Sequence, residues 1–334
     1  MPLPTRSLGR TGLHVTTVGF GAWAIGGDWA FGWGAQDDAE SIAAMRRALS
    51  LGVNWIDTAA VYGLGHSEEL VGRLLREIPA AQRPLIFTKC GMVWDDSDRR
   101  VPPRQTLEPS SIRKECEASL RRLGVDRIDL YQFHWPDASG VAVEDSWAAM
   151  HRLIEEGKVR FGGVSNFPVE LLERCEALHP VGSLQPPFSM IRRGAAADVI
   201  PWSAEHRVGV ICYSPMQAGL LTDRFRAERM ATMPEGDWRQ RSAEFQPGKI
   251  QRNLALRDAL RPIAARHGVT TAAIAVAWVL AWPGVTGAIV GARSAEQVDG
   301  WIGGAAVTLN EADLDEIAAA IGRTGAGSGP ARPV

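Results

Sequence analysis

Eight short apolar runs alternate with longer amphipathic segments along this chain of 334 residues. Each run is bounded by Gly or Pro and followed by a helix-like pattern, which is typical of parallel strands in an α/β protein. The runs begin near Val18, Val53, Leu85, Ile128, Val159, Gly182, Val208 and Gly287. Because the composition does not break between them, one closed (β/α)₈ barrel of the TIM type accounts for all eight.

Both ends of the chain add to this repeat. The stretch up to Thr17 predicts a β-hairpin with its turn at residues 9–12, and the region after the eighth run predicts extra C-terminal helices. We expect one barrel domain over residues 1–322 and a disordered Gly/Ala/Pro-rich tail over residues 323–334. A doubly wound dinucleotide-binding sheet is disfavoured, because the Gly19-Phe20-Gly21-Ala22-Trp23-Ala24 turn has Ala where the third Gly belongs.

Composition narrows the classes of function. The net charge is −2 with no basic block, which argues against a nucleic-acid partner. No apolar run is long enough to span a bilayer, and the N-terminus lacks the apolar core of a signal peptide. The four scattered cysteines indicate reduced thiols, so we expect a cytoplasmic protein. The seven histidines show no metal-ligand spacing, and no metal is expected.

Titratable residues stand at the ends of three consecutive runs. These residues are Asp57, Lys89 and His134, and Tyr62 follows Asp57 by five positions. Since strand ends on one face of such a barrel meet at one pocket, the four side chains are expected to converge. A phenol is a poor acid with a reference pKa of ~10, which a neighbouring ammonium lowers. Asp57 would keep Lys89 charged and oriented, and His134 would offer a donor or acceptor. The set suits protonation of an oxygen that becomes alkoxide-like.

Each of these residues alone has an ordinary structural explanation. The aspartate fits a cap, the lysine a solvated strand end, the tyrosine a loop anchor and the histidine a buried core residue. Their joint placement is what favours a proton-donor site. Acyl transfer is disfavoured, because the chain has no Gly-x-Ser-x-Gly nucleophile elbow.

Several motifs in the chain occur in the order of a known family. They are Asp57-Thr58-Ala59-Ala60-Val61-Tyr62-Gly63, Thr88-Lys89, Asp129-Leu130-Tyr131-Gln132-Phe133-His134-Trp135-Pro136, Gly157-Lys158-Val159-Arg160, Gly163-Val164-Ser165-Asn166-Phe167, Gln185-Pro186-Pro187-Phe188 and Tyr213-Ser214-Pro215-Met216. Through them the chain resembles the aldo-keto reductases over nearly its whole length. The likeness is greatest to bacterial members of the general-stress-protein type.

This resemblance implies NADPH-dependent reduction of aldehydes or ketones, with Asp57, Tyr62, Lys89 and His134 as the catalytic tetrad. It implies that a nicotinamide cofactor lies across the barrel mouth, and that Tyr213 stacks on its ring. The carboxamide would be held by Ser165, Asn166 and Gln185. Further expected cofactor contacts are Gly21, Ala22, Trp23, Asp57, Ser214, Met216, Gly219, Leu220 and Arg224.

The segment after the eighth run, Val290 to Gln297, opens a helix. A helix N-terminus attracts phosphate, and Arg293 can add charge for a 2′-phosphate. The ordinary alternative is a capped surface helix. With family precedent, Gly291, Arg293 and Gln297 are expected to bind NADP, so NADPH is preferred to NADH. Trp23, Trp94 and Trp135 follow strand ends and are candidates for an aromatic substrate pocket, although they also suit packing at the barrel rim.

Two other functions stay open at this point. The first is a cofactor-sensing regulatory subunit with slow or vestigial reductase activity, a role that some relatives of this fold have. The second is a barrel isomerase without nicotinamide, which predicts no quenching of tryptophan fluorescence by NADPH. The expected partner is a small carbonyl compound, and the sequence does not indicate an oligomeric state.

Overall fold

The computed structural model describes residues 2–234 and 236–333 of the chain. Its strands are β1 (Thr5–Ser7), β2 (His14–Thr16), β3 (Val18–Gly21), β4 (Trp55–Asp57), β5 (Leu85–Cys90), β6 (Met92–Val93), β7 (Arg104–Gln105), β8 (Ile128–Phe133), β9 (Val159–Ser165), β10 (Ser183–Gln185), β11 (Gly209–Tyr213) and β12 (Val285–Gly291). The helices are α1 (Asp38–Ser50), α2 (His66–Arg76), α3 (Pro109–Leu123), α4 (Val143–Glu155), α5 (Val169–Leu178), α6 (Val199–Glu205), α7 (Lys249–Ala259), α8 (Arg261–His267), α9 (Thr271–Leu280), α10 (Ala295–Trp301) and α11 (Glu311–Thr324).

Eight parallel strands close into a barrel. The order around it is β10-β11-β12-β3-β4-β5-β8-β9, so every apolar run of the sequence supplies one strand. The predicted (β/α)₈ barrel is therefore confirmed, and the N-terminal hairpin forms from β1 and β2, with Thr5 opposite Thr16. The loop after β5 contains a second short hairpin, β6 with β7.

The barrel interior is filled by side chains and is not a pore. A buried cluster separate from the outer core joins inward residues of the strands, among them Trp55, Phe87, Leu130 and Ile211, to Leu8 of the hairpin. Gly19 makes room for this layer, because a Cβ there would lie 2.2 Å from the Trp55 ring. The hairpin and the Trp55 layer thus close the barrel at its N-terminal end.

The next inward layer lies two residues further along each strand, since side chains alternate between the two faces of a strand. Asp57 therefore lies on the same strand face as Trp55, Lys89 on the same face as Phe87, and Gln132 on the same face as Leu130. Polar side chains therefore lie directly above an apolar floor, at the C-terminal ends of the strands. That end is where sites are built in barrels of this kind.

The outer helices cover the sheet, and α9 is buried along its whole length. Among the described residues no single helix is long and apolar enough to cross a membrane. The segments Lys249–His267 and Thr271–Leu280 meet that test only when they are taken together, and only by length and composition. They are separated by a bend of 89°.

The C-terminal tail, for which the sequence predicts disorder over residues 323–334, makes contacts with the barrel domain. Helix α11 continues to Thr324, and Arg193 donates to the backbone oxygens of Ala326 at 3.0 Å and Gly329 at 3.1 Å. Ser328 bridges to the backbone of Arg192. The Arg193 side chain is buried, and a buried guanidinium needs acceptors, which these carbonyl groups provide. The structure thus describes contacts between residues 324–329 and the barrel domain, while the disorder expected from sequence stays a prediction and Val334 lies outside the described residues.

Candidate active site

Lys89 is held by three oxygen atoms at the centre of the barrel mouth. Its Nζ lies 2.5 Å from Asp57 Oδ1, 2.9 Å from the backbone oxygen of Thr58 and 3.3 Å from the Tyr62 hydroxyl. The residues come from the ends of β4 and β5 and from the loop after β4. The structure thus brings the predicted carboxylate, ammonium and phenol into direct contact.

Tyr62 completes the group together with His134. The two rings meet edge-on with their centres 5.5 Å apart. Burial, followed by repulsion from Lys89, holds the pKa of His134 well below its ordinary value of 6.5, so this imidazole is neutral near pH 7. It can then donate or accept one hydrogen bond without adding charge.

The pKa of Tyr62 shifts opposite to the expectation from sequence. Burial, with a smaller contribution from the charge of Asp57, raises this pKa well above 10. Loss of hydration of the phenolate outweighs the attraction of the ammonium 3.3 Å away. The expected lowering by Lys89 is therefore wrong, and Tyr62 keeps its proton across the neutral range.

Three polar side chains form a second cluster beside the tetrad. Ser165 Oγ donates to the backbone oxygen of Gln185 at 2.7 Å, and Asn166 Nδ2 donates to the backbone oxygen of His134 at 2.9 Å. Asn166 has a left-handed backbone with φ of 62°, a conformation that Asn tolerates better than most residues. It turns the chain sharply after β9, which keeps the cluster at the mouth.

The Tyr213 ring is fixed at the end of β11. Its hydroxyl donates to Asn166 Oδ1 at 2.9 Å, so the ring is tied to the same cluster. The next residue, Ser214, is also left-handed with φ of 59°. Strained backbone at two strand ends beside one cavity is typical of functional sites.

Arginines gather at the other end of the cavity. Arg293 donates to Gln36 Oε1 at 2.5 Å and to the backbone oxygens of Trp33 at 3.1 Å and Ala35 at 2.5 Å. A guanidinium has five N–H donors, so these contacts leave two for a ligand. The side chain also fastens the loop after β3, a role that the sequence did not indicate. Arg224 forms an ion pair with Glu296.

Two loops meet over the cavity through aromatic rings. Trp23 and Trp33 of the loop after β3 contact Trp238 of the loop after β11, with ring centres 5.1 Å and 5.7 Å apart respectively. Arg239 lies over the Trp33 ring at 4.5 Å and pairs with buried Asp237 at 2.6 Å. This bridge was missed from sequence because neither loop has a periodic pattern.

The cavity that these elements enclose has a volume of about 630 Å³. Most of the predicted site residues line it: Gly21, Trp23, Asp57, Tyr62, His134, Trp135, Ser165, Asn166, Gln185, Tyr213, Ser214, Met216, Gly219, Arg224, Gly291, Arg293 and Gln297. Lys89 lies just behind the wall.

Besides Lys89, three residues named from sequence are not on the cavity wall. Ala22 and Leu220 are fully buried. Trp94 instead donates from its indole nitrogen to Asp96 at 2.8 Å.

Comparisons with known proteins identify relatives of this chain. The Aldo/keto reductase family model matches residues 17–321. Aldo-keto reductase YhdN of Bacillus subtilis (strain 168) is 34% identical over 318 residues, which cover 93% of this chain and 91% of that protein. The NADH-specific methylglyoxal reductase of Escherichia coli (strain K12) is 31% identical over 327 residues, which cover 95% and 98% respectively.

A solved structure extends the likeness to three dimensions. The glycerol dehydrogenase AKR11B4 from Gluconobacter oxydans superposes with a TM-score of 0.87 at 34% identity, covering 98% of this chain and 97% of that one. The reductase and dehydrogenase names of these proteins favour an enzyme over a regulatory subunit. The family match and the whole-chain similarity show that this chain belongs to the aldo/keto reductase family, as an NAD(P)H-dependent oxidoreductase that reduces carbonyl groups.

Proposed function

We propose that this enzyme reduces an aldehyde or ketone with NADPH and that Tyr62 donates the proton to the carbonyl oxygen. The supporting observation is the contact of the Tyr62 hydroxyl with the Lys89 ammonium, at 3.3 Å, in a buried pocket next to His134. A group that keeps its proton at neutral pH, yet lies against a positive charge, is suited to give that proton up only when negative charge develops nearby.

Each member of the tetrad has a distinct part in this proposal. His134, neutral at pH 7, orients the carbonyl oxygen by a hydrogen bond. Tyr62 transfers its proton to that oxygen as charge builds there. Lys89 stabilises the phenolate that remains, and Asp57 holds Lys89 in place. Because the site is preorganised, little reorganisation accompanies the charge movement.

The residues of the cavity fit a nicotinamide dinucleotide. The amide and hydroxyl groups of Ser165, Asn166 and Gln185 match a carboxamide, and the fixed ring of Tyr213 offers a flat stacking surface. The arginines at the far end match phosphate groups. When bound, the reduced nicotinamide would supply a hydride to the carbonyl carbon.

The preference for NADPH rests on Arg293. Two of its N–H donors are uncommitted, and it can present a positive charge to a 2′-phosphate. The E. coli relative is named as NADH-specific, so this preference needs a direct comparison of both cofactors.

The substrate end of the cavity is apolar and aromatic. Its wall includes Trp23, Trp29, Phe31, Met92 and Trp135. Flat apolar surfaces favour a small carbonyl compound with a planar or apolar substituent. A cytoplasmic location stays a prediction from sequence, and it is consistent with the four cysteines, which are free and buried.

The test is steady-state oxidation of NADPH and NADH with a panel of aliphatic and aromatic aldehydes and ketones. We expect turnover with NADPH, and the variant Tyr62→Phe should lose roughly 10³-fold or more in kcat with little change in cofactor affinity. Tyr131→Phe is the matched control, because Tyr131 is a buried tyrosine outside the cavity wall. Full turnover by Tyr62→Phe would remove the proton-donor role.

A further inference from the structure

Gln132 lies in the tetrad layer, although no step described above uses it. Its side chain is fully buried on β8, and its backbone is paired with Lys89 on β5. The side chain passes over Gly163 of the neighbouring strand, where an added Cβ would lie 3.2 Å from Gln132 Cγ. The missing side chain at Gly163 leaves the space through which Gln132 reaches the end of β10.

The amide of Gln132 connects two groups of the active site. Its nitrogen donates to Asp57 Oδ2 at 3.3 Å, and its oxygen accepts from the Gln185 amide nitrogen at 3.2 Å. Gln185 donates from the same nitrogen to Asp57 Oδ2 at 2.9 Å. The three side chains thus form a closed triangle of hydrogen bonds beneath the cavity.

This triangle permits one orientation of both amides. The Asp57 carboxylate, paired with the Lys89 ammonium, can only accept, so both glutamines must turn NH₂ groups toward it. Reversing Gln132 would place its oxygen against the carboxylate and its NH₂ against the NH₂ of Gln185. With both protons of its nitrogen used, Gln185 presents its Oε1, a pure acceptor, as its remaining polar atom.

We propose that Gln132 is a positioning residue that fixes Gln185 with its carbonyl oxygen toward the bound nicotinamide. The carboxamide of that ring has an NH₂ group, and a fixed acceptor would select the ring orientation that presents it. This inference rests on the proposed function. Gln132 acts only through Gln185 and Asp57, and it does not itself face the cavity.

The experiment compares two cofactors that differ only at the carboxamide. Binding of the natural reduced dinucleotide, and of its 3-acetylpyridine analogue in which a methyl group replaces NH₂, is measured by quenching of tryptophan fluorescence. In the unaltered protein the natural cofactor should bind about tenfold tighter, which corresponds to one good hydrogen bond. In Gln132→Met and Gln132→Leu this ratio should fall to about threefold, because Gln185 then keeps only its hydrogen bond to Asp57 and its amide is held less firmly.

Ser146→Ala is the matched control. Ser146 lies on α4, away from the cavity, and its buried hydroxyl donates to the Leu107 backbone oxygen at 2.8 Å. Its removal should leave the ratio of the two affinities unchanged. General loss of packing would weaken both cofactors alike without changing their ratio.

The outcomes separate the two proposals. An unchanged ratio of affinities in a folded Gln132 variant would overturn the positioning role. Equal binding of the two cofactors by the unaltered protein would overturn it as well, and that measurement does not depend on the folding of any variant. Absence of binding by either natural dinucleotide would instead overturn the proposed function.

Discussion

Lys89 and Asp57 form an ion pair almost without contact with solvent, with 0% and 3% of their side chains exposed and 2.5 Å between Nζ and Oδ1. Burying two charges costs free energy, which their attraction and further hydrogen bonds offset only when the geometry is good. The pair is therefore a place where folding stability and the proposed catalysis depend on the same atoms.

Removing one partner of this pair should destabilise the fold more than removing both. Lys89→Met leaves a buried carboxylate unpaired, and we expect a loss of about 3–5 kcal/mol in the free energy of unfolding. The double variant Asp57→Leu/Lys89→Met has no buried charge at this position and should recover at least part of that loss. Urea unfolding measures both effects.

The matching activity measurement is kcat, which should be abolished in the single and the double variant alike. A double variant no more stable than Lys89→Met would contradict this account of the pair.

The pH dependence of kcat should follow the directions of the pKa shifts. The pKa of His134 is lowered, so the imidazole stays neutral as pH falls through 6.5. The pKa of Tyr62 is raised, so the phenol keeps its proton as pH rises toward 10. Activity should therefore be level between roughly pH 6.5 and pH 9, since neither group changes charge there.

The alkaline limb of that profile belongs to Tyr62 and Lys89 as a coupled pair. Burial lowers the pKa of Lys89 below its ordinary 10.5, and loss of either proton removes activity as pH rises. An acid limb centred near pH 6.5, or an alkaline limb below pH 8, would contradict the pKa directions given for these groups.

Gly19 should not tolerate a side chain. Its added Cβ would lie 2.2 Å from the indole of Trp55, which cannot move because it fills the barrel floor. We expect Gly19→Ala to lower the free energy of unfolding by about 3 kcal/mol, through overpacking.

The control for this change is Gly322→Ala in α11, where no atom lies within 4 Å of the added Cβ. It should be neutral or stabilising by about 0.5–1 kcal/mol, because Ala favours the helix more than Gly. Equal thermal midpoints for the two variants would argue against a rigid Trp55 layer.

Arg293 should control discrimination between the two dinucleotides. We expect Arg293→Leu to weaken NADPH binding by about 10- to 100-fold and NADH binding much less, because only NADPH has the 2′-phosphate. Gln36→Leu removes a neighbour of the same guanidinium but leaves its charge, so it should keep the ratio of the two dissociation constants. If Arg293→Leu weakens both cofactors equally, Arg293 serves only to fasten the loop.

The local sequence pattern was enough to predict the barrel. It also predicted that the four tetrad side chains converge at one end of it. Short apolar runs with polar ends, such as those ending at Asp57 and Lys89, can be recognised from the chain alone. The barrel topology brings the ends of these strands together independently of the loop conformations. The same alternation could have identified Gln132, which follows Leu130 by two positions, as Lys89 follows Phe87.

Long-range contacts decided the rest. The sign of the Tyr62 pKa shift depends on how much water the whole fold excludes, which no neighbouring residue in the chain reveals. Most partners of Arg293 and Arg193 are oxygen atoms far away in sequence. The bridge between Trp33 and Arg239 joins two loops without a periodic pattern. Periodicity fixes which face of a strand a residue occupies, but only the packed chain fixes hydration and the partners of a charge.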